Sequence, residues 1–489
     1  MKKLLFFAVC LLFWFAPPAR AANLYVRPNG SGYGTGNGTD WSNAFNGFSG
    51  IAWAAIRPGD TLWVAGGTYT QILHIGASGS AGNPITINRV LKTDAVPTSA
   101  AGWNSAYDSQ VVINTPVSTS LIFIDNGVGS YVAIDGRVDS GIYLPYKDGG
   151  SGVELNGSAD FTNITVKHLE AAGPGPITQT SDTRGFDFTT QGTISNITVS
   201  HCSAHNSDTL MQFTRSVNLV VEYCDLHDAG AVNAATYHPN TIYVGTANNA
   251  TIRYNQLHNI DVEGIFFGDS GNNGVKIYGN VFYQGTSAPN SGRGIEIDNA
   301  GDAMSFQIYN NVFANLPLAP IRMSGVGSSG SVTNNIFWNS GGVTYQNLTH
   351  DYNLSSDATA GGEAHGLANA ANPFVNSTGN GDFHLKAGSN AINKGTALAV
   401  EFNQDIDSHT RGADGTWDIG AYEYTSGAPG NRCDLNNDGA PNALDLQLLA
   451  NEILKTNPSI SFDINKDGSV NAIDLQTLAN VILGKGVCP

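Results

Sequence analysis

Thr251-Ile-Arg-Tyr-Asn255-Gln-Leu-His258-Asn is echoed by Lys276-Ile-Tyr-Gly-Asn280-Val-Phe-Tyr283, Gln307-Ile-Tyr-Asn-Asn311-Val-Phe-Ala314 and Ser331-Val-Thr-Asn-Asn335-Ile-Phe-Trp338. Two earlier copies carry cysteine where these have asparagine: Thr198-Val-Ser-His-Cys202-Ser-Ala-His205-Asn and Val220-Val-Glu-Tyr-Cys224-Asp-Leu-His227-Asp. The spacing of about 22 to 33 residues is that of stacked repeats. Each unit holds short β-branched stretches broken by Gly and Asn, with no helical period. A second phrase interleaves: Gly185-Phe-Asp-Phe188, Thr241-Ile-Tyr-Val244, Gly264-Ile-Phe-Phe267 and Gly294-Ile-Glu-Ile297. It alternates in and out as a strand does. Two short strands per turn with variable loops predict a mainly β solenoid, a right-handed parallel β-helix.

Stacking the first phrase on adjacent coils aligns Cys202, Cys224, Asn255, Asn280, Asn311 and Asn335. The reading is an inward asparagine ladder that continues into two buried thiols, which are neither a metal site nor a catalytic pair. His205, His227 and His258 share another column, about 4.8 Å apart. Three such histidines have the chemistry to bind a metal. Because Tyr283, Ala314 and Trp338 continue the column, a stack lining the turn is the expectation.

The N-terminus predicts the compartment. Met1-Lys2-Lys3 is followed by an apolar run from Leu4 to Phe15 and by Ala19-Arg20-Ala21, a small-x-small cleavage site. The run is too short to span a bilayer, so residues 1–21 read as a secretory signal peptide. No later segment reads as a membrane span, and a secreted, extracellular or cell-surface protein is expected. Without that segment, 20 basic residues face 40 acidic ones, a net charge of about −20. Such a balance argues against nucleic acid and anionic membrane surfaces as partners. It also means that an acidic polysaccharide needs local Arg or Lys, or bridging Ca²⁺.

At the other end two loops repeat a cation-binding pattern. The first offers Asp434, Asn436, Asp438, Ala440, Asn442 and Asp445, and the second Asp463, Asn465, Asp467, Ser469, Asn471 and Asp474. Side-chain oxygens fall at positions 1, 3, 5, 9 and 12, Gly439 and Gly468 make the sharp turn, and position 7 offers its carbonyl, as Ca²⁺ requires. A helix is predicted after each loop, over Leu446–Leu454 and Leu475–Leu483. The pair resembles a type I dockerin module over roughly the last sixty residues. That resemblance implies two Ca²⁺ sites and a cohesin-like partner. Many dockerins carry Ser-Thr at positions 10 and 11, where this chain has Ala443-Leu444 and Ala472-Ile473. Cys433 and Cys488 bracket the module, and an oxidising compartment permits a disulfide between them.

A second resemblance covers about residues 23–424. Tyr25-Val-Arg-Pro-Asn-Gly-Ser-Gly and Arg57-Pro-Gly-Asp60-Thr-Leu-Trp-Val-Ala-Gly-Gly-Thr-Tyr69 look like the first turn of pectate-lyase-like β-helix proteins. Phe383–Ile392 and Trp417-Asp-Ile-Gly-Ala-Tyr-Glu-Tyr424 resemble their C-terminal cap. The superfamily hosts lyases, hydrolases, epimerases and binding proteins, so the resemblance implies a fold and not a reaction. The expected organisation is signal peptide 1–21, β-helix 22–424, linker 425–431 and dockerin-like module 432–489.

The second phrase supplies one outward column: Glu154, Asp187, Gln212, Tyr243, Phe266, Glu296 and Arg322. Aromatic faces stack on sugar rings, while carboxylates and Arg hold hydroxyls or uronates. Glu154 and Asp187 fall on adjacent coils, within reach of the about 5 Å separation of a retaining glycosidase pair. Asp187 and Glu296 lie four coils apart, about 19 Å, and do not form a pair. Arg184, Glu263 and Arg293 share a neighbouring column. A lyase sets a base beside a charge neutraliser at the uronate carboxylate, for which His238, Arg293 and Arg322 are candidates. Tyr243, Phe266, Arg184 and Glu263 are candidate substrate-binding residues, and a further Ca²⁺ in the groove is a possible cofactor. No clustered aspartates match the calcium site of pectate lyases, and no paired-aspartate motif of polygalacturonase-like hydrolases is evident. Two functions follow. One is a secreted polysaccharide lyase or glycoside hydrolase acting on a plant or algal polysaccharide, the lyase favoured by the Arg on this face. The other is a noncatalytic glycan-binding or adhesion protein.

Overall fold

A computed structural model describes residues 21–489 except 126, 176–182, 231–238, 286–290, 299–303, 325–326, 426–432, 434, 436–440, 456–461, 466–468, 484, 486–487 and 489. The signal peptide expectation therefore lies outside the described residues, apart from Ala21. The chain winds into a right-handed parallel β-helix. Among the described residues its three sheets hold 14, 11 and 9 strands. Each coil contributes one strand to each sheet, as in Ile194–Ser200, Ser203–Ser207 and Thr209–Phe213. The expectation of two strands per turn is corrected to three. The first phrase is itself two strands, such as Thr251–Arg253 and Gln256–His258, joined at a sharp corner.

That corner explains the phrase. The residue before each ladder position is left-handed: His201, Tyr223, Tyr254, Gly279, Asn310, Asn334 and Tyr352 all have φ between 52° and 66°. One left-handed residue lets a strand turn through a corner without a loop, at a cost of about 1 kcal/mol where a Cβ is present. The following residue points inward. The Oδ1 of Asn280 accepts from the backbone N–H and the Nδ2 of Asn255, at 3.0 and 2.9 Å. Asn311 does the same for Asn280, Asn335 for Asn311, and Asn353 for Asn335. Each Nδ2 also donates to a backbone carbonyl one coil back, as from Asn280 to Ile252 at 2.9 Å. Asn353 extends the ladder beyond the reading from sequence, and Glu363 ends it. The Glu363 carboxylate accepts from the N–H and the Nδ2 of Asn353, both at 2.9 Å. At the other end Cys202 and Cys224 are free, buried thiols. Asn255 Oδ1 accepts from the Cys224 N–H.

Inside the three sheets, stacked columns form one continuous core. Val166, Val199, Val221, Ile252, Ile277, Ile308 and Val332 pair in succession and are fully buried. Phe282, Phe313 and Phe337 form a second column, with ring centroids 4.6 and 5.6 Å apart. The glycine that opens the second phrase is a consequence. A Cβ on Gly294 would stand 2.6 Å from the Phe313 ring. The histidine column is the stack expected of it: His205, His227, His258 and Tyr283 lie with centroids 4.8, 4.8 and 4.7 Å apart and near-parallel planes.

The segment likened to a C-terminal cap runs back along the outside of the solenoid. Phe374, Phe383, Leu385, Ile419 and Tyr422 bury against Val281, Val312, Ile336 and Leu354, the outward side chains of the 11-stranded sheet. Asn334 and Thr396 exchange hydrogen bonds at 2.8 and 2.9 Å. His384 helps hold the segment, standing between Asp382 and Asp407, with Nε2 2.7 Å from Asp407. Burial opposes its positive charge, but the two carboxylates prevail and raise its pKa to about 9.

Two stability outcomes are expected. Asn280→Ala leaves buried donors and acceptors on both neighbouring coils, so urea denaturation should show a loss of about 2–4 kcal/mol. Lys92→Ala on the exposed surface should lose less than about 0.5 kcal/mol. For His384 the folded pKa lies above the unfolded one. Its contribution, on the order of 3 kcal/mol, is complete below pH 6.5 and vanishes as pH rises through 9. His384→Gln should therefore lower the melting temperature at pH 6 and leave it nearly unchanged at pH 9.5.

Candidate functional site

The outer face of the 9-stranded sheet brings the sequence column together in register. Glu154 pairs with Asp187, Asp187 with Gln212, Gln212 with Tyr243, Tyr243 with Phe266, Phe266 with Glu296, and Glu296 with Arg322. Beside it runs Arg184, Thr209, Asn240, Glu263 and Arg293. The result is two charged clusters separated by an aromatic middle, where Tyr243 and Phe266 meet edge to face at 5.7 Å.

In the first cluster Asp187 accepts from Arg184 Nη1 at 2.8 Å and from Thr189 Oγ1 at 2.7 Å. Glu154 accepts from Asn156 Nδ2 at 2.7 Å and from the Ser120 hydroxyl. Burial, reinforced by the charge of Glu154, raises the Asp187 pKa despite Arg184. A groove of about 730 Å³ opens beside this cluster, lined by Asn156, Arg184, Gln212, Thr214, Arg215 and Asp269 among others.

The second cluster is a four-membered ionic network. Arg293 Nη1 donates to Glu263 at 3.2 Å and to Glu296 at 2.8 Å, and Arg322 donates to Glu296. Glu263 and Glu296 are buried, while the Arg322 side chain is 44% exposed. Burial comes first in raising the Glu263 pKa to about 7, the charge of Glu296 adds to it, and the two guanidiniums oppose it. A carboxylate that exchanges its proton near neutrality beside two guanidiniums suits proton abstraction next to an anionic group. The sequence carries no mark of this proton affinity, because the burial of Glu263 comes from three-dimensional packing.

His238 lies outside the described residues. The possible further Ca²⁺ in this groove gains no support from them. Asp187, Glu263 and Glu296 are paired with arginine, and the described clusters with metal-ligating potential lie elsewhere, at Asp225–His227–His258 and Asp405–Asp407–His409.

In the tail, helices span Ala443–Ile453 and Ala472–Ile482. Asn442 and Asn471 cap them, accepting from Leu444 and Ile473 N–H at 2.8 Å. Both asparagines stand at loop position 9, which often reaches an ion through water. Asp445 and Asp474 are fully buried. Asp474 Oδ1 accepts from Ile464 and Asn465 N–H, which draws the loop around it. Asp463, Asn465, Ser469 and Asp474 thus form an all-oxygen donor set that fits a hard cation such as Ca²⁺. Asp434, Asn436, Asp438, Ala440 and Asp467 lie outside the described residues. Cys433 and Cys488 form a disulfide with Cα atoms 6.0 Å apart. It closes a small core of Cys433, Leu449, Ile464 and Leu478.

Residues 146–288 match the family described as right handed beta helix region. Residues 432–483 match the dockerin type I domain. The chain is thus a right-handed β-helix protein carrying a C-terminal type I dockerin domain. No curated protein matches it. Among solved structures it is similar to pectate lyase Pel9A, with 18% identity, TM-score 0.47, and coverage of 83% of this chain and 96% of that one. It is also similar to a GH136 lacto-N-biosidase from Eubacterium ramulus (12%, TM-score 0.42, coverage 67% and 68%). A third is a mannuronic acid specific polysaccharide family 6 lyase from human gut microbiota (12%, TM-score 0.39, coverage 68% and 80%). Likenesses this distant speak for neither substrate nor reaction. No helix among the described residues is long and apolar enough to cross a membrane.

Because metal binding in such loops is folding free energy, excess chelator should abolish the tail's helical circular dichroism and leave the β-helix melt unchanged. Reduction should lower the tail's stability by about 2–4 kcal/mol. A non-reduced digest should contain the Cys433–Cys488 peptide pair.

Proposed function

We propose that this protein is an extracellular polysaccharide lyase acting on a uronate-containing glycan and tethered through its dockerin domain to a cohesin-like partner. The observation that carries the reading is the Glu263–Arg293–Glu296–Arg322 network, with a carboxylate titrating near pH 7 beside two guanidiniums. Arg322, the more exposed guanidinium, neutralises the uronate carboxylate and acidifies the adjacent C–H. Glu263 takes that proton, a carbon–carbon double bond forms, and the glycosidic C–O electron pair leaves with the departing sugar oxygen, which takes a proton from water. Tyr243 and Phe266 offer apolar faces to neighbouring sugar rings. The division into signal peptide 1–21, β-helix 22–424, linker 425–431 and module 432–489 belongs to the same proposal, as does Ca²⁺ in both tail loops. Glycoside hydrolysis by Glu154 and Asp187 is the alternative chemistry, with Asp187, whose pKa burial raises, in the general-acid role.

A second reading is favoured by one specific observation. Arg184, Arg293 and Arg322 each already hold a carboxylate. Mutually paired charges make a rigid polar platform, which suits a noncatalytic glycan-binding protein.

The test is incubation of the purified protein with pectate, alginate, chondroitin and neutral glycans, read at 235 nm and by reducing ends. Lyase action raises both signals, with a rate that climbs with pH through about 7 as Glu263 ionises. Glu263→Gln should then lower turnover at least about 100-fold, and Arg322→Ala should raise KM. Reducing ends alone assign hydrolysis to the Glu154–Asp187 cluster. Silence in both signals with glycan binding retained assigns the binding reading.

A further inference from the structure

The histidine column leaves one feature that stacking does not explain. On the strand Asp225–Ala229, Asp225 and His227 are two residues apart and face outward together, while Leu226 between them is in the core. His258 on the next coil is the register partner of His227. One ligand atom from each of the three lies within 4.8 Å of the others. The neighbouring His205 is not part of this group. Its Nε2 is 3.2 Å from Glu170 and its Nδ1 2.9 Å from Asn206 Nδ2, so both ring nitrogens are engaged.

We propose that Asp225, His227 and His258 bind a borderline divalent transition-metal ion, Zn²⁺ foremost, on the outer face of the 11-stranded sheet. Three features support the assignment. First, two imidazoles and one carboxylate are a donor set that borderline metals prefer and that Ca²⁺, which takes oxygen, does not. Second, His227 is oriented from behind. Its Nδ1 lies 2.8 Å from Asp228, and Asn259 Nδ2 holds that carboxylate at 2.8 Å. A carboxylate at Nδ1 fixes the tautomer that presents the Nε2 lone pair outward, the arrangement found behind metal-bound histidines. Third, His258 is sandwiched between His227 and Tyr283 and is only 9% exposed, with Nε2 3.1 Å from Asp225 Oδ1. Among the described residues its Nδ1 has no hydrogen-bond partner. Ligands around tetrahedral zinc sit about 3.3 Å apart, given bonds of about 2.0–2.1 Å. In the structure the three ligand atoms stand within 4.8 Å of one another, so binding draws them closer and tilts the His227 and His258 rings out of their 13° stack. The ion would clasp two consecutive coils on a face other than that of the candidate groove.

The experiment is calorimetric titration of the untagged full-length protein with Zn²⁺, with millimolar Ca²⁺ saturating the tail. One equivalent should bind. Asp225→Asn and His227→Ala should each weaken it at least about tenfold, and Asp228→Asn, a positioning change, about tenfold. His409→Ala in the other cluster should leave binding unchanged. A Zn²⁺-soaked crystal of the unaltered protein should show anomalous density among the three side chains, which needs no variant to fold. Absence of uptake, uptake insensitive to Asp225→Asn and His227→Ala, or uptake lost in His409→Ala would each overturn the assignment.

Discussion

The structure depends on how each coil turns its corner. A parallel solenoid must bend the chain sharply several times per coil without leaving buried backbone groups unpaired. Here one left-handed residue makes the bend, and the amide that follows fills the gap in the ladder. Tyr254 and Asn255, or Asn334 and Asn335, are the two halves of one device. An asparagine amide suits the task because it donates and accepts at once, so identical residues satisfy each other indefinitely. A ladder of this kind needs an end. Glu363 supplies two acceptor oxygens to Asn353 at one terminus, and the thiols of Cys202 and Cys224 fill the corners at the other without demanding amide partners.

Rigid corners make the outer faces precise. Because every coil advances by one strand spacing, a side chain's neighbours are set by register alone. This puts the Glu263 carboxylate against Arg293 and Glu296, and it puts His227 over His258. The two faces then diverge in chemistry. On the 9-stranded sheet, buried carboxylates and arginines pair on either side of an aromatic middle. On the 11-stranded sheet, imidazoles and carboxylates meet instead, and the C-terminal segment covers the apolar remainder.

Much of this was legible in the repeats. The ladder positions, the histidine column and the outward series from Glu154 to Arg322 follow from the phrases themselves, since stacking equal units aligns equal positions. The tail was equally readable, because a cation loop fixes oxygen donors at set spacings and so writes its chemistry into order along the chain. The strand count was not. The phrase around Asn255 reads as one strand, because a left-handed Tyr carries no mark in the sequence that separates it from an extended one. The capping by Asn442 and Asn471 was hidden for a similar reason: the same oxygen pattern suits an ion loop and a helix end, and only the structure shows the hydrogen bond to Leu444 or Ile473.

The sequence by itself determined the repeat, the inward and outward faces, the cation loops and the pairing of Cys433 with Cys488, all set by periodicity or by position relative to a motif. Only the tertiary structure decided which carboxylates are buried, which arginines they hold, and where the segment after Phe374 lies. Those depend on desolvation and on contacts between coils, and a carboxylate's proton affinity is a property of its surroundings. Nothing in the residues flanking Glu263 distinguishes it from a solvated glutamate. Its place between Asn240 and Arg293, on a buried stretch of sheet, does.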